Sequence, residues 1–193
     1  MNEPEDPDDW QLWWDARMAA LEGVLGPSDD KVRHAMIPFQ MGPELGGAAD
    51  VVYFSGHVDG VVAVTSELIG CDDQTPNNQG NYELMMCGRD DVDWGAGLIS
   101  QLAHYTLECP LNAGDTMDVG PAVPVGSTIA ALLFCDYARF RVRDLEAGLL
   151  LCVGITADEL EACRSGRTDE VLDGLKTTGV SPFTDLYRDS VLG

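Results

Sequence analysis

Basic residues are scarce in this chain: lysine and arginine number 11 against 33 aspartates and glutamates, a formal net charge of −22 with neutral histidines. That balance argues against nucleic-acid or anionic-membrane binding through a broad basic face. Cationic partners stay open, because negative charge accelerates encounter with a positive surface, although the same charge also serves solubility. Long apolar runs are missing too, and no stretch reaches the length of a membrane span. The opening MNEPEDPDDW has neither the basic start nor the apolar core of a signal peptide, so a cytoplasmic protein is expected. The cysteines Cys71, Cys87, Cys109, Cys135, Cys152 and Cys163 lie far apart with no C-x-x-C pair, which points to reduced, packed thiols.

The usual catalytic signatures are absent as well. There is no phosphate loop ending in GK[ST], no G-x-G-x-x-G, no G-x-S-x-G and no H-E-x-x-H. Three histidines remain as candidate bases. Ser100, His104 and Glu108 fall at successive i, i+4 positions, which resembles a nucleophile, base and acid set but reads as a solvated helix face with a weak His104–Glu108 pair. His57 and Asp59, drawn together with Cys71, Asp72 and Asp73, match no ligand spacing and read as loop polarity. His34 reads as a satisfied core or edge histidine. No catalytic residue, metal site or cofactor is expected from these patterns.

What is present is a globular pattern of 45% hydrophobic residues over 193 positions, enough for one domain at 9–193 behind a disordered acidic tail at 1–8. The chain turns on Asn81 to Leu107. Tyr82, Leu84 and Met86 alternate with Glu83, Met85 and Cys87, the period of a strand with one buried and one partly exposed side. Asp90, Asp91 and Asp93 suit a helix start, and Trp94, Leu98, Leu102 and Tyr105, widened by Ile99, give a helical stripe. Gly95 and Gly97 weaken its first turn.

Around this segment, Asp8 or Asp9 can cap a helix whose face is Trp10, Trp14, Met18, Leu21 and Leu25, stopped by Gly26-Pro27. Lys31 to Gln40 reads as extended through Ile37, where Pro38 limits it. DVVYF at Asp50 to Phe54 and GVVAVTS at Gly60 to Ser66 form a short-looped antiparallel pair. Cys71 to Gly80 is a polar surface loop. Thr116 to Val119, Thr128 to Cys135, Arg139 to Arg143 and Leu149 to Ile155 read as four further extended pieces. Thr156 and Glu159 form a capping box, followed by a helix through Cys163, another over Thr168 to Lys176, and a turn in Thr184 to Leu192. The class is α+β: a mixed, largely antiparallel sheet with flanking helices.

TSELIG at Thr65 to Gly70, YEL at Tyr82 to Leu84 with Trp94 and LAHY at Leu102 to Tyr105 behind it, AGDTM at Ala113 to Met117, the run from Leu150 to Leu160, and PFTDLYRDSV at Pro182 to Val191 together resemble the suppressor of fused domain in its compact bacterial form. The resemblance spans roughly Ala49 to Leu192. It implies an α+β domain with a mixed sheet, and a binding role. Eukaryotic members sequester a transcription factor by gripping an extended peptide between two domains; bacterial members resemble immunity proteins that neutralise toxins. This chain matches the first domain only, so a two-domain clamp within one molecule is not expected. The expected function is a non-catalytic module that binds a protein, a basic toxin domain, through an acidic surface. An endogenous protein as the regulated partner, or a ligand or metal binder using His57, Asp59 and Cys71, are the alternatives. Glu67 and Ile69, next to the family's peptide-contact stretch, and the acidic Asp72 and Asp73 are the candidate partner-binding residues. Ile69 stands where eukaryotic members carry an aromatic.

Overall fold

The computed structural model describes residues 7–90 and 92–193, with side chains for 10–90 and 92–193. Residues 1–6 of the expected tail and Asp91 lie outside the described residues. Helix α1 (Pro7–Leu25) already begins at Pro7.

Among the described residues, seven strands form one sheet: β1 (Val32–Arg33), β2 (Val51–Phe54), β3 (Val61–Thr65), β4 (Asn81–Gly88), β5 (Thr116–Asp118), β6 (Ile129–Val142) and β7 (Leu145–Thr156). Their spatial order is β1-β2-β3-β4-β7-β6-β5. Every neighbouring pair is antiparallel except β4 and β7, which run parallel from Asn81↔Ala147 to Met85↔Leu151. The class is the expected α+β. No helix among the described residues is long and apolar enough to cross a membrane.

Both faces of β4 are buried, so the period-two reading of one partly exposed side does not hold. Met85 and Cys87 join Leu149, Leu151 and Val153 of β7 under Leu21 and Leu25 of α1, Leu160 of α4 (Ala157–Arg164) and Val171 and Leu175 of α5 (Thr168–Thr177). Tyr82, Leu84 and Met86 join Leu150 and Cys152 on the other face, under Ala96 and Ile99 of α2 (Asp93–Leu102). A sheet covered on both sides dispenses with a polar face.

Helix α2 differs from its expected outline in three ways. Val92 rather than an aspartate occupies the N-cap position, with Asp93 inside the first turn. The buried residues are Gly95, Ala96, Ile99 and Ser100, whereas Trp94, Leu98 and Leu102 are only half-buried and Tyr105 is exposed. Small residues face the sheet because the helix lies close to it; a Cβ at Gly95 would run into the Met86 thioether. The helix also stops at Leu102, and α3 (Tyr105–Glu108) follows as a separate turn. There the Ala103 carbonyl accepts from both the Thr106 amide and the Thr106 hydroxyl, at 3.1 and 2.7 Å, which closes a tight turn instead of another helical one.

Other boundaries differ as well. Only Val32 and Arg33 of the extended piece expected through Ile37 form a strand, and beyond Pro38 3₁₀ turns occupy Phe39–Met41 and Pro43–Leu45. The two pieces expected at 128–135 and 139–143 are one strand, β6, with a register shift between Asp136 and Ala138 that lets it bend without breaking. On α1, Leu21 and Leu25 are buried as expected, but Trp10 is exposed and Arg17 is buried. Residues 184–192 carry only short turns, at 186–187 and 191–192.

That last segment is held by an ion pair instead. Arg188 grips Glu159 bidentately at 2.6 and 2.5 Å, with the two side chains only 5% and 0% exposed. Glu159 Oε2 also accepts the Thr156 amide at 2.9 Å, completing the capping box, and Oε1 accepts the Val191 amide at 2.8 Å. Burial works against the Glu159 charge, yet the Arg188 guanidinium and these amides outweigh it and hold the carboxyl below its ordinary range. Replacing Arg188 with leucine strands that carboxylate. Arg188→Leu is expected to lower unfolding free energy by about 3–5 kcal/mol in urea titration at pH 7; a loss within experimental error would show the pair to be dispensable.

Candidate functional site

The turn that follows β3 is built around one buried carboxylate. Glu83, on β4 and fully buried, accepts the Leu68 and Ile69 amides on Oε1, both at 2.9 Å, and the Thr65 hydroxyl on Oε2 at 2.6 Å. Thr65 Oγ1 in turn accepts the Leu84 amide at 2.9 Å. From α1, Arg17 donates to the Ile69 carbonyl at 2.7 Å. Gly70 then turns at φ +91°, with Trp13 packed so close that a Cβ would lie 2.7 Å from its ring. The TSELIG stretch is thereby clamped between the sheet and α1.

Beside this clamp lies a cleft of about 570 Å³. Trp10, Trp13 and Arg17 of α1 line one part of it, Phe39 and Pro43 another, His104 and Cys71 a third, and Glu67, Asp72 and Asp73 supply the acidic lining. Glu67 is half-buried, with Oε2 accepting the Asp50 amide at 2.8 Å. Burial pushes its pKa up, more than that amide and the nearby Arg17 draw it down. Asp72 and Asp73 are exposed and have no ion pair among the described residues. The cleft therefore presents three carboxylates beside the exposed Trp10; Met41 and Leu45, next in sequence to its lining residues Gln40, Gly42 and Pro43, are exposed as well.

Three of the four candidate residues, Glu67, Asp72 and Asp73, come together here. Ile69 does not: its side chain is fully buried with Trp13, Val142 and Ala147, and only its backbone serves the turn. It corrects the expected contact, since a residue between sheet and helix has no surface to offer.

The solvated-face reading of Ser100 and His104 is also corrected. Both are buried; Ser100 donates to the Ala49 carbonyl at 2.6 Å, and His104 Nε2 meets the Gly47 carbonyl at 2.9 Å while its ring stacks on Phe39 at 4.3 Å. They hold the 47–49 backbone against α2, and only Glu108 of the three is exposed, as expected of a solvated face. Arg17 and His104 are site residues that sequence reasoning missed. Each carries a buried nitrogen in the cleft wall, Nε and Nδ1 respectively, without a hydrogen-bond partner among the described residues.

His57 and Asp59 are not assembled with Cys71. His57 Nε2 lies 2.5 Å from the Tyr137 hydroxyl, and no group of three or more metal-ligating side chains forms among the described residues. His34 is exposed and pairs with Asp50 at 2.7 Å. The loop 71–80 is less superficial than expected: Gln74 is buried, its side chain accepting from the Tyr82 amide at 3.0 Å and donating to the Tyr82 carbonyl at 2.8 Å.

Burial pushes the Glu83 carboxyl up to about 7, against the pull of Arg17, the turn amides and Thr65. A raised carboxyl keeps its proton longer in the folded state, so the folded chain binds more protons than the unfolded one between the ordinary carboxylate range and about 7. Its contribution to stability is full at low pH and declines as pH rises through that window. Glu83→Gln is neutral throughout and retains an acceptor for the two amides. Comparison of urea midpoints at pH 5 and pH 7.5 should show a smaller loss on raising pH for the variant than for the parent; equal losses would mean Glu83 does not titrate there.

A family model described as Suppressor of fused protein (SUFU) matches residues 58–189. No curated protein sequence matches the chain. Among solved structures, a suppressor of fused homologue from Neisseria gonorrhoeae superposes with a TM-score of 0.65 at 16% identity, covering 94% of this chain and 97% of its own. Sufu in the Sufu–Fu complex gives 0.70 at 16% identity over 93% and 92%. Drosophila Suppressor of Fused gives 0.65 at 15% identity, covering all of this chain but 54% of its own. These identities carry the fold, and the family model, matching more than half of the sequence in the same region, carries the rest: the chain belongs to the suppressor of fused family.

Proposed function

We propose that this protein is a non-catalytic protein-binding module, a bacterial immunity protein of the cytoplasm that sequesters a basic toxin domain. The observation that carries the reading is the charge of the cleft. Glu67, Asp72 and Asp73 lie together, in a chain of net charge −22, without ion pairs of their own among the described residues. A carboxylate that is half-desolvated and already pushed toward its neutral form gains more from an incoming cation than a fully solvated one does. The exposed Trp10, Met41 and Leu45 give a docked surface apolar area to cover, and aromatic anchors dominate binding energy at such interfaces. Sufu in complex with Fu, on a similar fold, supports a protein as the partner.

Neutralisation on this reading is occlusion. The acidic cleft guides the toxin's cationic surface in, and the bulk of the domain covers it. The clamped turn matters here, because a pre-ordered loop loses little conformational entropy on binding.

The test begins with capture of the partner from the source cells at low and moderate salt, then measures association with the purified toxin. The Glu67→Gln, Asp72→Asn, Asp73→Asn triple variant should associate about tenfold more slowly at low ionic strength and show a weaker salt dependence. Its thermal midpoint should stay close to the parent's, since the glutamine side chain keeps an oxygen to accept from the Asp50 amide. Cells carrying the toxin should lose protection. Equal association rates and equal protection would refute the acidic cleft as the binding surface.

A further inference from the structure

The parallel pair at the centre of the sheet creates a second crevice, remote from the first in its residues. After β4 the chain enters α2, which packs on the Tyr82, Leu84 and Met86 face; after β7 it enters α4, which packs on the Met85 and Cys87 face. Adjacent parallel strands whose following helices leave to opposite sides open a gap at their carboxyl ends, where open α/β sheets place their ligands. Such a gap is present here. Pairing ends at Met85↔Leu151, and beyond it Phe183 and Thr184 insert between the strands: the Thr184 amide donates to the Cys87 carbonyl at 2.8 Å, and its hydroxyl accepts the Gly154 amide at 2.9 Å.

Above this plug stands a cleft of about 460 Å³, the size of a small-molecule pocket. It shares no lining residue with the acidic cleft among the described residues. Met86 and Leu186 contribute apolar surface. Trp94 is fixed in place by its indole N–H, which donates to the Ala122 carbonyl at 2.8 Å, and Tyr187 stands exposed at 64%. Among the described lining residues Arg89 is the one cation, and it is turned to its own fold, donating to the Gly179 carbonyl at 2.8 Å and lying 4.1 Å over the Phe183 ring. Asp90 and Asp185 are exposed and have no cation partner among the described residues.

We propose that this crevice is a binding site for a small organic cation with an apolar body, its ammonium or guanidinium head meeting Asp90 and Asp185 and its body lying on Trp94. The aromatic walls contribute twice, as apolar surface and through attraction of the cation to the ring face. An anion of the same shape meets two carboxylates and an Arg89 already engaged, so the site discriminates by charge.

Tryptamine is a suitable probe, with indole-3-propionate as its anionic counterpart. Titration of the full chain at pH 7, followed by amide chemical shifts, should show saturable tryptamine binding with the shifts centred on 86–95 and 184–187. The Asp90→Asn, Asp185→Asn double variant should bind at least tenfold more weakly while keeping its thermal midpoint. The second substitution leaves a side-chain oxygen to accept from the Tyr187 amide, a bond that Asp185 makes at 2.9 Å. Indole-3-propionate should not saturate. Absence of saturable tryptamine binding, equal binding of the anion, or shifts centred on 67–73 would each overturn the proposal. None of these results counts against the protein-binding reading, since its variants lie in the other cleft.

Discussion

Two parallel strands side by side cannot be joined by a tight turn, and the pairing of β4 with β7 sets the plan of the molecule. The chain between them has to leave the sheet, cover one face with α2, form the far edge with β5 and return through the long hairpin of β6 and β7. Helices consequently end up on both faces, which is why the central strands carry apolar residues on both sides. Both clefts are by-products of this arrangement: one where α1 and the turn after β3 meet at the flank, the other where the parallel strands part.

Two buried glutamates perform the same task in different parts of the chain. Glu83 gathers the turn at 65–69, and Glu159 gathers the start of α4 and the segment at 188–191. Their electrostatics differ because their partners differ. Glu159 has a bidentate guanidinium, so its charge is favoured despite burial. Glu83 has amides, a hydroxyl and an arginine engaged with a carbonyl, and burial prevails. A loop anchored by the second kind of group is more responsive to its surroundings than one anchored by the first.

Local signals carried well where local physics decided. The strand at β4, the first helix with its end at Leu25, the β2–β3 pair and the Thr156–Glu159 capping box were all legible, because periodicity and capping are properties of neighbouring residues. The partners of Glu159 and Glu83 were not, since Arg188 and the 68–69 amides reach them only through the fold. Ser100 and His104 read as solvent-facing because their helical phase was set from Trp94 and Leu98; the close approach of α2 to the sheet favours Ala96 and Ile99 instead. Glu67, Asp72 and Asp73 stand out in the sequence as acidic residues after β3, but that they share a cleft is a property of the fold. Trp10 and Arg17 could not be placed there, as nothing in the first 25 residues signals which loop their helix will meet. Ile69 is hidden for a related reason: adjacency in sequence to a cleft-lining residue says nothing about which way a side chain in a tight turn points.

The order of synthesis runs against the order of the sheet. β7 is the last of these strands to be made, yet it fills the position between β4 and β6. Until it leaves the ribosome, β4 has an open edge bearing Leu84, Met85 and Met86, all of them buried in the finished protein. A nascent chain is thus obliged to carry a sticky, half-made sheet until residues 145–156 are made, a state in which unpaired apolar strands invite aggregation. The acidity of the chain then has a use before any partner is met: mutual repulsion between unfinished copies keeps them apart while the centre of the sheet is still missing.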